Sequence, residues 1–202
     1  GCNAISNDQT KNHQRDTHHS QGAPRLLPRC RPQTAGRGRQ GDSGLAAKGG
    51  EVKRILAIDP GLSGGIAHYA NNRVVVEPMP DTDGDVREVL INYLSQSDVV
   101  YIEKVGGYIG GKGAPGSAMF NFGRNVGFIH GLIASMLTRC IEVPPQRWQK
   151  TIGAGTSKTH GTRWKAHLKG LAQQRQPSLN ITLKTADAVL ILEHAMLVEG
   201  LK

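Results

Sequence analysis

Two short apolar runs in this chain each end on a carboxylate. Ile55-Leu56-Ala57-Ile58 leads into Asp59, and Val99-Val100-Tyr101-Ile102 leads into Glu103. Apolar runs of this length and type predict strands. A strand that is apolar on both faces belongs inside a sheet covered by helices. A carboxylate at the end of such a strand loses hydration, a cost tolerated mainly where something such as a cation offsets it. A third acidic residue, Asp187, opens the apolar helical stretch 186–192. Three carboxylates from distant segments predict one oxygen-rich site for Mg²⁺, with Mn²⁺ able to substitute.

The remaining pattern supplies the frame. Strands are predicted over 53–59, 65–70 and 73–77, the last two joined by the Asn71-Asn72 turn as part of an antiparallel meander. A helix is predicted over 86–94, a central strand over 98–103, a Gly-rich loop from Gly106 to Gly116, and a long helix over 117–138. A strand over 140–143 stops at Pro144-Pro145, and helical regions follow over 157–175 and 184–199. The order βββαβαβα describes an α/β domain, a mixed sheet flanked by helices.

The chain has 202 residues, enough for one domain and an appendage. Its net charge of +9 is uneven: residues 1–54 carry ten Lys/Arg against four Asp/Glu, and 55–202 carry fifteen against twelve. Two-thirds of the excess therefore lies in a segment without apolar periodicity. Residues 1–51, rich in Gln, Asn, Ser, Gly, Pro and Arg, read as a disordered basic tail. His13, His18 and His19 fit a solvated polar segment better than a metal cluster, and Arg37-Gly38-Arg39 offers at most an unstructured nucleic-acid contact. The chain opens on Gly1, and 48–51 could be encoded by a purine-rich ribosome-binding sequence before a GTG start. The natural protein is therefore expected to begin at Val52; an intact mass from the native host that included residues 1–51 would overturn this. Three cysteines (Cys2, Cys30, Cys140) lack metal-ligand spacing. With no secretory segment and no apolar run of about 18 residues, the expectation is a reduced, cytoplasmic protein with no membrane partner.

The segment 143–186 is the clearest electrostatic signal. Arg147, Lys150, Lys158, Arg163, Lys165, Lys169, Arg175 and Lys184 occur there without one Asp or Glu. A solvated surface normally mixes both signs, so this one-sided run predicts a phosphate-facing surface. Trp148 is expected in the core, because Val143-Pro144-Pro145 leads the chain inward. The loop after Glu103 carries Lys104, Tyr108 and Lys112; its aromatic could lie on an unstacked base while the lysines meet phosphates. Gly123, Gly127 and Gly131 line one helix face, where each costs roughly 1 kcal/mol relative to alanine. They imply close approach of another backbone, either the sheet or the same helix of a second copy. The motif Asp59-Pro60-Gly61-Leu62-Ser63-Gly64-Gly65 also fits sugar-kinase-type ATPases. Those need two such domains, so no nucleotide cofactor is expected.

Several pieces together resemble RuvC-like Holliday-junction resolvases, in particular the compact phage and prophage type. They are Ile58-Asp59-Pro60-Gly61-Leu62-Ser63-Gly64, Ile102-Glu103-Lys104-Val105, Met119-Phe120-Asn121-Phe122-Gly123-Arg124, Val143-Pro144-Pro145-Gln146-Arg147-Trp148-Gln149-Lys150 and Ala186-Asp187-Ala188. They fall in the family's order across residues 53–199. The resemblance implies a ribonuclease-H-like five-stranded fold over 52–202, a homodimer, and metal-dependent paired nicking of branched double-stranded DNA. It implies that Asp59, Glu103 and Asp187 bind two divalent ions, that Lys158 and Lys165 neutralise phosphate near the cut, and that Tyr108 stacks on junction bases. Arg124, Arg147, Lys150, Arg163 and Lys169 complete the expected DNA contacts. The pattern departs at Lys184, where the family commonly carries a further ligand, and at Gly106. The departure implies weaker metal binding, and its alternative outcome is a branched-DNA-binding protein without catalysis. A ribonuclease-H-type nuclease cutting RNA–DNA hybrids is a lesser alternative.

Overall fold

The computed structural model describes residues 53–106 and 115–202. The expected tail over 1–51, Tyr108 and Lys112 lie outside the described residues.

Strand β1 (Ile55–Asp59) pairs antiparallel with β2 (Gly65–Ala70), and β2 pairs antiparallel with β3 (Arg73–Pro78). Asn71 and Asn72 join β2 to β3 with φ of 52° and 59°, left-handed values that asparagine tolerates and tight hairpins require. Strand β4 (Val99–Glu103) lies parallel to β1, and β5 (Arg139–Val143) parallel to β4. The sheet order is β3-β2-β1-β4-β5, the expected ribonuclease-H-like mixed sheet. β1 is the middle strand. β4 is interior, flanked by β1 and β5, as its apolar run requires.

Helix α1 (Asp83–Ser95) starts three residues before the apolar period, because Thr82 caps it by accepting from the Asp85 amide at 3.2 Å. Helix α2 (Gly116–Ser135) stops short of the predicted end, and Leu137 follows at φ 54°. Pro144 and Pro145 do more than end β5. They start a helix the periodicity does not reveal, α3 (Pro145–Thr151), with proline at the position where its missing N–H costs nothing. The predicted basic helix is split into α4 (Ser157–His160), a 3₁₀ turn (Gly161–Arg163) and α5 (Trp164–Arg175), because Gly161 takes φ 54°. The last helix, α6 (Ala186–Val198), begins two residues later than the pattern suggests. Thr182 and Thr185 close a turn on each other, the Thr182 amide donating to Thr185 Oγ1 at 2.9 Å, and this turn sets the start.

Alternation along β1 and β4 splits the core into two layers. Ile55, Ala57, Val99 and Tyr101 face α3, α5 and α6; Leu56, Ile58, Val100 and Ile102 face α1 and α2. Helix α6 is buried from Ala186 through Met196, so it reads as apolar on every side rather than as a stripe. Burying each of its large aliphatic side chains contributes about 1.5–3 kcal/mol. Its C-terminal end is tied to the sheet through Glu199, which pairs with Lys53 and accepts from the Tyr101 hydroxyl at 2.7 Å. The core thus fixes α6 lengthwise across the sheet and fixes where its first turn lies. No described helix is long and apolar enough to cross a membrane.

Candidate active site

The alternation that builds the core also aims the carboxylates. Asp59 continues the Ile55, Ala57 series and Glu103 the Val99, Tyr101 series, so both point to the α6 side. The parallel pairing of Ile58 with Ile102 brings the two acidic residues level at the same end of the sheet, where β1 and β4 finish. Their side chains hydrogen-bond each other. Asp187, in the first turn of α6, reaches the same place and is only 5% exposed.

Gly64 fixes the turn beside this end. A Cβ there would stand 2.0 Å from the Asp59 carbonyl oxygen, so no other residue fits without moving the strand end. The Gly64 amide closes the turn by donating to the Gly61 carbonyl at 3.0 Å.

Bringing the carboxylates together is costly. Burial first, then the charges of Asp187 and Glu103, push the Asp59 carboxyl up to about 8. Burial also pushes Glu103 up, although the Trp148 indole N–H, donating to Glu103 Oε1 at 3.0 Å, pulls the other way. One cation answers the cluster. Lys165, on the first turn of α5, forms an ion pair with Asp187 Oδ2, and its charge also acts on Asp59 and Glu103. Partial burial would pull the ammonium down, but the carboxylates outweigh it and hold Lys165 above its ordinary value.

The donor chemistry suits a hard divalent cation: three carboxylates, with Asp187 Oδ1 buried and without a hydrogen-bond partner. Among the described residues, however, no three His, Cys, Asp or Glu side chains form a group ready to hold a metal ion. Lys165 supplies positive charge at the cluster through its ion pair with Asp187.

The other predicted residues are placed as follows. Lys158 is exposed on α4, and the lysine that touches the carboxylates is Lys165. Lys184 is exposed just before α6, three residues ahead of Asp187, and the ion pair to Asp187 comes from Lys165. Lys150, Arg163 and Lys169 are exposed on α3, the 3₁₀ turn and α5, and Arg147 is exposed on α3. Lys104 is exposed beyond β4, with its amide donating to Val143 at 2.9 Å. Arg124 is exposed on α2, and its guanidinium spans both Asp83 carboxylate oxygens at 2.6 and 3.2 Å. Arg175 turns inward and donates to the Ile152 carbonyl.

The expected close packing of the glycine face of α2 against the sheet is absent. A Cβ on Gly123, Gly127 or Gly131 would meet no described atom within 4 Å. That helix packs through Ile129 and Ile133 instead. Two features escaped the sequence. One is the polar tip of Trp148, buried in the core yet bonded to Glu103. The other is a stack of half-buried rings bracing α4 against α5: His160 and His167 at 3.8 Å, with Trp164 5.7 Å from each. The spacing of His160, Trp164 and His167, at i, i+4 and i+7, is that of one helix face and was a readable signal within the predicted helix.

No family model and no curated protein matches the chain. Among solved structures, the chain is similar to Thermus thermophilus RuvC in complex with Holliday junction substrate, at 14% identity and a TM-score of 0.51 over 73% of this chain and 96% of that one. Thermus thermophilus RuvC in another structure gives 14% identity and a TM-score of 0.45 over 73% and 96%. The yeast mitochondrial Holliday junction resolvase Ydc2 gives 13% and 0.40 over 72% and 78%. The first of these likenesses shows that the fold is shared.

Proposed function

We propose that this protein is a metal-dependent, structure-selective endonuclease that nicks branched double-stranded DNA such as four-way junctions. The observation that carries this reading is the convergence of Asp59, Glu103 and Asp187 on Lys165, at an end of the sheet followed in the chain by 143–186, which has eight cations and no anion. The shared fold with a protein solved on Holliday junction substrate supports the choice of substrate class.

Asp59, Glu103 and Asp187 would hold Mg²⁺ or Mn²⁺, two ions per site as the resemblance implies. The bound metal would supply water activation and neutralisation of the phosphate. The chain's own residues do the rest. Trp148 keeps Glu103 in place from the core side. Lys165 screens the carboxylates and stands ready to meet a phosphate when it leaves Asp187. Lys158, Lys150, Arg163, Lys169, Arg147 and Lys104 hold the DNA backbone and fix its register without reading sequence. Tyr108 and Lys112 would act from the loop after β4. Paired nicks on opposite strands call for a homodimer, and the open glycine face of α2 is the seam we assign to it.

A second reading, a branched-DNA binder without catalysis, is favoured by the Lys165–Asp187 ion pair, which would compete with metal. The deciding experiment is nicking of a labelled four-way junction by the full chain in Mg²⁺ and in Mn²⁺, beside Asp59→Asn and Lys184→Asp. Symmetric nicks lost in Asp59→Asn establish the nuclease. Binding without nicks in either metal establishes the binder. Preference for an RNA–DNA hybrid over the junction would replace the substrate class.

A further inference from the structure

A cavity of about 260 Å³ opens beside the loop that follows Asp59, between that loop, the start of α1 and the middle of α2. Its walls include Asn121, Arg124, Asn125 and Phe128 from α2, and Asp81 and Asp83 around the start of α1. The mechanism above uses none of them.

We infer that this cavity receives a single unstacked nucleobase from the strand to be cut, and that Asn121 and Asn125 read its edge. The inference rests on the endonuclease reading and names what that site would recognise beyond branch shape.

Size comes first. The volume is below the roughly 300–1,000 Å³ of sites for drug-sized ligands, so one ring system is the natural occupant. Charge comes second. Arg124 is already neutralised by Asp83, and Asp81 adds a further negative charge, so a phosphate is disfavoured and a neutral heterocycle is not. The wall chemistry comes third. Phe128 supplies an apolar surface of the kind that accepts a base, and the two asparagines supply side-chain amides, each both donor and acceptor, which can pair with a base edge. Position is the last point. Gly61 lines the cavity and lies two residues beyond Asp59, so the cavity opens at the same end of β1 as the carboxylates, beside the turn that follows them. Branched DNA supplies such bases cheaply, because pairing is already broken at the crossover.

The test uses four-way junctions carrying 2-aminopurine at single positions within three nucleotides of the crossover, titrated with the full chain in chelator so that nothing is cut. Mobility shift on the same samples reports binding independently. The expected result is a rise in fluorescence at one position, at least halved in the Asn121→Ala, Asn125→Ala double variant while junction affinity changes less than threefold. In Mg²⁺, preference among junctions differing only at that nucleotide should fall by about tenfold in the variant. Tight junction binding with no fluorescence change at any position would overturn the cavity assignment and leave the endonuclease reading intact. A rise that persists undiminished in the double variant would also overturn it, since junction opening alone would then account for the signal. Failure to bind junctions at all would remove the endonuclease reading, and this inference with it.

Discussion

The Trp148 indole N–H donates to Glu103 Oε1 at 3.0 Å, across 45 residues of chain. Trp148 is almost wholly buried, so a core side chain carries the one described hydrogen bond that Glu103 receives from outside the acidic cluster. Trp148→Phe keeps most of the volume and removes the donor. Loss of a hydrogen bond to a charged group costs about 1.5–3 kcal/mol, so the urea midpoint should fall accordingly. Glu103 should rise further, and metal affinity should fall with it. A variant as stable as the parent would show that the bond contributes nothing net.

Asp59 makes a prediction about pH. Its folded value of about 8 lies above its ordinary 3.8, so between these limits the native state holds more protons than the unfolded chain. Stability then falls as pH rises through that window, and Glu103 adds to the fall with the same sign. In chelator the thermal midpoint of the parent should therefore drop between about pH 5 and about pH 8, and Asp59→Asn should flatten the drop. Because metal binds the deprotonated carboxylates, Mn²⁺ affinity measured by calorimetry should rise over the same range. A pH-independent midpoint and affinity would contradict the crowding of the three carboxylates.

Lys165→Met removes the cation from the cluster and leaves the carboxylates facing one another. The lysine is more than half exposed, so the loss is modest, about 1 kcal/mol, or roughly 2–4 °C for a domain of this size. Added Mn²⁺ should recover the loss and bind more tightly than to the parent. Tighter parent binding would mean that Lys165 assists the metal rather than competing with it.

Gly64→Ala tests the turn. Its Cβ would sit 2.0 Å from the Asp59 carbonyl oxygen, so the strand end must move or the protein unfold. A loss of more than about 3 kcal/mol in denaturant is expected, together with lost nicking. A fully stable and active variant would mean that the turn has room the structure does not show.

The open face of α2 tests the assembly. Gly127→Leu adds bulk where no described atom lies within 4 Å, so the isolated fold should tolerate it. Light scattering should show the parent as a dimer and the variant as a monomer. A dimer that persists would move the seam elsewhere.

Strands were legible because burial on both faces leaves an uninterrupted apolar run, and both β1 and β4 end on their carboxylate as read. Asp187 was legible for a related reason: an acid among the six apolar residues of 186–192 has little excuse for being there except a partner. Helix starts were less legible where side chains rather than periodicity set them, as with Thr82 at α1 and the Thr182–Thr185 turn before α6. That Lys165 pairs with Asp187 while Lys158 stands exposed on α4 was not legible, because Gly161 redirects the chain between them through a backbone angle that composition does not reveal. The pairing of Arg124 with Asp83 was not legible, because a cation's partner can lie anywhere in the chain, here 41 residues upstream.

Asp59 and Glu103 share a face only because each stands at an even step from the first residue of its own strand. One residue inserted into β4 ahead of Glu103 would reverse that parity, turning the carboxylate toward α1 and α2 and an isoleucine toward Asp187. Only a compensating deletion, a second insertion or a bulge in the strand would restore it. The spacing from Ile55 to Asp59 and from Val99 to Glu103 is therefore a constraint as strict as the identity of the acids themselves.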